Sequence, residues 1–474
     1  MCVHTVDHAA SAERGAERRP ASPERGTKRR PIVLVPGFLG PAWHRDRPTS
    51  SRWYNYWGEA RTLGTSEAPV LCAWPSGLAS LHDRACELFA QIKGGVTDYG
   101  VEHSQHFGHA RYGRSYDGLF PEWCEANPIH LVGHSLGGQT VRVLQHLLDT
   151  NAFAGHRTSA AWVCSVTAIN APLNGSLAAY ALGEKEEDAP AVVKFSPGHL
   201  LGCLVHLVAF LDVRLAGFDL GLDQWRLSVW KNGPAAFATL REALLERSKI
   251  VESADNAAYD ATVHSMTAWN RSIATQPACF YFSFVGTGAD ANLLPPYPDH
   301  RNLSSLCLWL SVVVQWVLRR VFLATLAWLS ARREYPHLAP YKGFDLNDFR
   351  EQSDGLCSKH SQRFPVSPMG AAPAAPLPAA GQDIHPGVWY HAEHGQDHMG
   401  LVPFPPSQAF QRAFFSRLFA RLRALPRPDA GKALCVESHA MANVGLQGVD
   451  LPGERACVSL PTFDTGIHVP LAAC

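Results

Sequence analysis

The stretch LVGHSLGGQT, Leu131 to Thr140, sets Ser135 between Gly133 and Gly137, directly after the apolar run Ile129 to Val132. A strand followed by G-x-S-x-G and then a helix is the sequence form of a nucleophile elbow, a sharp turn that exposes the serine hydroxyl. Glycines at both flanks let neighbouring backbones approach where a Cβ would collide. Ile129 to Val132 supplies the strand, and Gln139 to Leu148 has the pattern of a helix. The bare motif also suits a glycine-rich turn with an incidental serine. In this context Ser135 is a candidate nucleophile.

Outward from the motif, PIVLV (Pro31 to Val35), Val70 to Trp74, Val163 to Ile169 and Cys279 to Val285 read as further buried strands, and Asp83 to Ile92 as a helix between two of them. Strands alternating with helices imply an α/β class with a mostly parallel sheet covered on both faces. The 474 residues suffice for one large domain with insertions. Lys+Arg and Asp+Glu balance at 42 each, which lacks the positive excess that a nucleic-acid surface requires. The 12 cysteines include no C-x-x-C pair, so buried free thiols are expected rather than a zinc ribbon or a disulfide framework.

Residues 1–30 read as a flexible arm. They hold seven Lys/Arg and four Asp/Glu without an apolar stretch, which fails the pattern of a secretory signal. A cytoplasmic or lipid-surface location is the expectation. Three segments exceed a minimal domain. Residues 176–215 combine an acidic patch, Glu184 to Asp188, with the apolar run HLLGCLVHLVAFL from His199. Residues 303–333 are the most apolar part of the chain, with runs of 13 and nine residues separated by Arg319-Arg320. Neither run reaches the about 20 residues of a spanning helix. Core helices, an interfacial hairpin with Trp309, Trp316 and Trp328 near headgroups, and a short membrane span all remain open. Residues 365–380, rich in Pro and Ala, are expected to be a loop.

A serine hydroxyl needs a histidine to take its proton and an acid to orient that histidine. In a fold with this elbow the chain order is serine, acid, histidine. Among 23 histidines, composition cannot choose. Gln352-Ser353-Asp354-Gly355 and Gln396-Asp397-His398-Met399 stand out as polar turns, but spacing alone does not select them.

Over roughly residues 30–425 the sequence resembles the zinc-containing thermoalkalophilic lipases of bacteria, and more strongly their plant and algal relatives. The matching stretches are PIVLVPGFLG, YWGEA, HDRACELFAQIKGGVTDYG, HFGHARYGRSYDGL, GHSLGGQT, SVTAINAPLNG, LDQWRL, PYKGF, SDG, GVWY and QDHMG, in that order. The resemblance implies an α/β-hydrolase domain over 31–425, with a helical lid in 176–215, a zinc-binding extra region and a tail, 426–474, of unknown role. It implies Ser135 as nucleophile, Asp354 as acid and His398 as base, and an oxyanion hole from the N–H groups of Phe38 and Leu136. The family commonly has His-Gly where this chain has Pro36-Gly37, and Gln where it has Leu136.

The resemblance also implies one structural zinc per chain, held by Asp83, His103, His109 and Asp223, with Asp219 the runner-up and His82 and His106 the spare imidazoles. Two imidazoles and two carboxylates would fill a tetrahedral shell. Without the resemblance, the histidines of 103–109 read as a polar helix face. Calcium is not expected, because the family's acidic ligand falls on Gly400 and its Asp-Pro near Pro405-Pro406. The implied activity is lipase-like hydrolysis of lipid carboxylic esters, with association at a lipid interface. An esterase, phospholipase or galactolipase on the same triad, and an inactive membrane-associated interaction protein, are the alternatives. Sequence does not give the oligomeric state.

Overall fold

The computed structural model describes residues 30–40, 56–185, 191–211, 219–245, 248, 250–288, 303–332, 353–367, 370–379, 381–402 and 408–426. The expected arm and tail fall almost wholly outside these residues, as do Pro340 to Phe344 and Pro405-Pro406. Seven strands form one sheet: β1 (Ile32–Val35), β2 (Val70–Cys72), β3 (Ile129–His134), β4 (Val163–Ile169), β5 (Phe280–Gly286), β6 (Ala374–Pro376) and β7 (Trp389–His394). Their order is β6-β7-β5-β4-β3-β1-β2, and every neighbouring pair is parallel. Val35 lies opposite Gly133, so the loops leaving β1 and β3 emerge side by side at the carboxyl edge. That edge is where open α/β sheets bind ligands.

The strands are apolar on both faces because helices cover both. Val33, Val35 and Leu131 pack with Leu88 and Phe89 of α1 (Leu81–Lys93) and with Val141, Leu144 and Leu148 of α3 (Leu136–Asp149). Ile32, Leu34 and Val132 turn the other way, onto Phe415, Leu418, Phe419 and Leu422 of α8 (Gln408–Ala424). This is the period of two that a strand imposes. Helix α1 starts where Ser80 Oγ accepts the N–H of Asp83 at 3.2 Å, and it stops at Gly94. The short α2 (Val101–Phe107) follows. Beyond β4 come α4 (Leu177–Leu182), α5 (Pro197–Leu211) and α6 (Pro234–Leu245).

One expectation requires correction, and one of three open readings is removed. The Pro/Ala segment is not only a loop: Ala374, Ala375 and Pro376 form edge strand β6, paired with Trp389, Tyr390 and His391. Proline is tolerated there because an edge strand has a side without ladder partners. Residues 303–332 form one continuous 30-residue helix, α7, rather than a hairpin. No described helix is long and apolar enough to cross a membrane. Its inner residues Leu323 and Leu326 are buried, whereas Val317, Leu318, Val321, Phe322, Trp328 and Leu329 are exposed.

Phe415 is fully buried where α8 covers the sheet. Phe415→Ala is expected to cost about 3–5 kcal/mol of folding stability through lost apolar contact and the cavity left behind. Denaturant unfolding checks this value.

Candidate active site and metal centre

Ser135 ends β3 and begins α3 with φ 54° and ψ −130°, a conformation costly for a residue with a Cβ. The surrounding backbones enforce it. A Cβ on Gly133 would meet the carbonyl of Gly137, and a Cβ on Gly137 would meet the carbonyl of Val35. Sheet and helix therefore close onto the turn and leave the half-buried serine at the head of α3. His398 Nε2 lies 2.9 Å from Ser135 Oγ, and His398 Nδ1 lies 2.8 Å from Asp354 Oδ2. The three expected residues, far apart in sequence, thus converge. Asp354 Oδ1 accepts the N–H groups of Leu356 at 3.0 Å and Cys357 at 2.8 Å, which fixes the carboxylate. The His398 N–H donates to the Asp354 carbonyl at 2.8 Å, tying the acid and base loops directly.

A second chain of hydrogen bonds holds the remaining loops. The Gly37 N–H donates to Tyr56 Oη at 2.9 Å, and Tyr56 Oη lies 2.6 Å from His134 Nδ1. His134 Nε2 lies 2.9 Å from the carbonyl oxygen of His398. A carbonyl only accepts, so Nε2 carries the proton, Nδ1 accepts, and the Tyr56 hydroxyl donates to it. Burial, with His398 nearby, holds the His134 pKa well below the ordinary range, consistent with a neutral ring. Arg84 adds a brace, donating to the Pro36 carbonyl at 2.6 Å, to Thr140 Oγ1 at 2.8 Å and to the Ser76 carbonyl. Sequence reasoning missed Tyr56, Arg84 and His134. The signals available were the placement of Tyr56 in YWGEA, of Arg84 in HDRACELFAQIKGGVTDYG and of His134 beside Ser135.

Ser135, His398, Phe38 and Leu136 line one open cleft, whose empty space together with the solvent at its mouth amounts to about 1020 Å³. Leu136 is the first residue of α3, where an N–H has no acceptor within the helix. The 176–215 segment covers this cleft with α4 and α5. Leu201, Gly202 and Val205 of α5 face inward, while Leu200, Leu204, Leu207 and Leu211 are exposed.

Asp83, His103, His109 and Asp255 bring one ligand atom each within 4.8 Å of all the others. His103 Nε2 is 3.1 Å from both Asp83 Oδ1 and Asp255 Oδ1, and His109 Nε2 is 3.2 Å from Asp255 Oδ2. Asp83 Oδ1, His109 Nε2 and Asp255 Oδ2 are buried and have no hydrogen-bond partner among the described residues. His109 Nδ1 sits 2.9 Å from the Ala110 carbonyl and must donate to it, so in the neutral ring Nε2 points a lone pair at the carboxylates. Acceptors facing acceptors in a dry site call for a cation, and the residues fit a metal ion. Burial alone would raise the Asp83 carboxyl, but the neighbouring imidazoles of His103 and His82 outweigh it and hold it below the usual range.

The fourth ligand position corrects the expectation. Asp223 lies outside the cluster: its carboxylate takes Arg114 Nε and, at 2.9 Å, Lys231 Nζ. The runner-up Asp219 is held by the same Arg114 at 2.8 Å. Two cations already neutralise these acids, whereas Asp255 is free to face the histidines. The neighbour of Asp223, Gln224, does reach the cluster, donating to Asp83 Oδ2 at 2.9 Å. Spare His82 stacks on His103 at 3.7 Å, and His106 is exposed.

The family model described as "Lipase-like, C-terminal domain" matches residues 28–313. Lipase 2 of Staphylococcus aureus (strain MRSA252) is 33% identical over an alignment of 281 residues that covers 54% of this chain and 38% of that protein. The lipase of Staphylococcus hyicus is 30% identical over an alignment of 282 residues that covers 54% of this chain and 40% of that protein. This chain thus covers well under half the length of these curated relatives. The crystal structure of Staphylococcus hyicus lipase superposes with a TM-score of 0.60 at 23% identity, covering 85% of this chain and 97% of that one, a likeness of fold. Lipase 1 from Pelosinus fermentans gives a TM-score of 0.57 at 26% identity, covering 84% and 100%.

Elemental analysis of purified protein is expected to find about one metal ion per chain, with Asp255→Asn losing it and melting at lower temperature. Asp223→Asn should keep the metal. The reverse result would restore Asp223 as ligand. Tyr56→Phe, which leaves the Gly37 N–H and His134 Nδ1 unpaired, is expected to lower stability by about 1–3 kcal/mol in denaturant unfolding.

Proposed function

Because the chain belongs to the lipase-like C-terminal-domain family, we propose that it is a serine hydrolase cleaving carboxylic esters of lipids. The observation that carries this reading is the unbroken hydrogen-bonded sequence Ser135 Oγ, His398 Nε2, His398 Nδ1, Asp354 Oδ2 at the head of an apolar cleft. In the proposed reaction His398 Nε2 takes the proton of Ser135 as Oγ attacks the ester carbonyl. Asp354 keeps the proton on Nδ1 and stabilises the imidazolium. The N–H groups of Phe38 and Leu136 receive the oxyanion. His398 then protonates the leaving alcohol, and water repeats the sequence on the acyl-enzyme to release the acid.

For the metal centre we favour zinc, because two imidazoles and two carboxylates suit its tetrahedral shell and leave no open position for substrate. The ion would supply positive charge that binds α1, the α2 region and the Asp255 loop together. The hydrolytic steps are carried by Ser135, His398 and Asp354.

Lipid esters are aggregated, and the outer surfaces of α5 and α7 support peripheral contact with a lipid surface. On α7 the exposed apolar residues recur at helical spacing, and residues 303–332 contain Arg319, Arg320 and Arg332 but no Asp or Glu. Such a helix suits the boundary of an anionic lipid layer rather than its interior. Arg319 also lies 3.3 Å from Asp397, the residue before His398, linking α7 to the catalytic loop. An inactive interaction protein is the weaker reading, since such a role makes no use of Ser135, His398 and Asp354 in hydrogen-bonding order.

Ser135→Ala is expected to lower kcat on long-chain ester emulsions by about 10⁴-fold or more. Triacylglycerol emulsions, polar lipids and soluble short-chain esters assayed side by side define the class. Turnover of soluble esters alone, without stimulation by an interface, would reject a lipid substrate. Full activity in Ser135→Ala would reject the mechanism.

A further inference from the structure

The cleft contains a second carboxyl that the triad does not use. Glu184, in the short strand Glu184–Lys185 that pairs with Ala191–Val192, lines the same cleft as Ser135 and His398. It is 5% exposed. Among the described residues its buried Oε2 has no hydrogen-bond partner and no cation pairs with it. Its neighbour Lys185 is exposed, and the cleft wall nearby is built from residues such as Leu182, Leu201 and Val205. Burial pushes the Glu184 pKa up to about 8, so at neutral pH the group is mostly a carboxylic acid with one O–H to donate and oxygens to accept.

Buried polar groups in folded proteins are almost always hydrogen-bonded, and an unsatisfied one needs an explanation. A leucine at this position would fill the wall at no such cost. A carboxyl kept in an apolar cleft therefore points to a partner that arrives with the substrate. A plain acyl chain offers none, because its only polar group is the carbonyl that reacts at Ser135. A neutral carboxyl matches a group that both donates and accepts, and among the polar groups of lipid esters that group is a free hydroxyl.

We propose that Glu184 forms a polar subsite of the cleft that binds a free hydroxyl of the ester substrate and makes the enzyme prefer hydroxylated lipid esters. The inference rests on the ester-hydrolase reading. The hydroxyl belongs either to the alcohol part, as in a partial glyceride or glycosyl lipid, or to a hydroxylated acyl chain. Both present the same chemistry to Glu184.

The test compares kcat/KM for matched pairs on the full-length chain and on Glu184→Leu, Glu184→Met and Glu184→Gln. Hydroxyethyl against propyl laurate tests the alcohol side. The p-nitrophenyl esters of a mid-chain hydroxy acid and of its plain counterpart test the acyl side, and aminoethyl laurate tests an ammonium group. The wild type is expected to prefer the hydroxylated member of one pair by about tenfold or more. Glu184→Leu and Glu184→Met should abolish that ratio, and Glu184→Gln should retain most of it. Ratios cancel general damage to the fold, and replacing an unpaired buried carboxyl by an apolar group is expected to be neutral or stabilising. An unchanged ratio in both apolar variants overturns the subsite, as does a loss confined to the ammonium ester. A wild type that turns over every ester without preference for hydroxyl also overturns it while sparing the parent reading. A wild type that hydrolyses none of them defeats both.

Discussion

The fold depends on the close approach of three backbones around Ser135. The carbonyl of Val35 in β1, Gly133 in β3 and Gly137 in α3 meet at distances that exclude any side chain, and the serine takes up the resulting strain at φ 54°. From that point the other elements are fixed by hydrogen bonds. Tyr56 and His134 link the Gly37 loop to the carbonyl of His398, and the His398 N–H returns to Asp354. The acid and base lie on separate loops, yet backbone bonds hold their relative positions. Such preorganisation is what a proton-relaying triad requires, because misplacement of reacting groups by about 1 Å can cost about 10²-fold in rate.

The metal centre belongs to the same scaffold. Asp83 faces the metal-ligand cluster, while the next residue, Arg84, grips the carbonyl of Pro36 and the hydroxyl of Thr140. One turn of α1 therefore joins the cation site to the loop beside the nucleophile. Without a cation there, the buried carboxylates of Asp83 and Asp255 would lie close together uncompensated at that turn. Stability and the shape of the site are coupled through two adjacent side chains.

Most of the sheet was legible in the sequence because parallel strands buried on both faces are short β-branched runs. Pro31 to Val35 and Val163 to Ile169 read that way, and the structure places strands at Ile32–Val35 and Val163–Ile169. The edge strand at Ala374–Pro376 was not legible, since an edge position removes the penalty that makes proline informative. Family resemblance selected Asp354 and His398, which spacing could not, and the geometry joins them to Ser135. It also matched LDQW to a metal ligand, whereas the fold brings Asp255, not Asp223, to the candidate cluster. Of the ion pairs that hold Asp223, the one with Lys231 is local, but the one with Arg114 spans 109 residues and no local pattern encodes it. The same holds for Glu184, whose isolation is a property of the packed cleft.

Peptide mapping after treatment with a serine-directed phosphonate tests the central claim most directly. The account predicts a single adduct, on the peptide containing Ser135, whose formation collapses when His398 is replaced by alanine in a folded protein. An adduct on a different serine, or undiminished labelling of Ser135 in His398→Ala, would contradict the proposed relay.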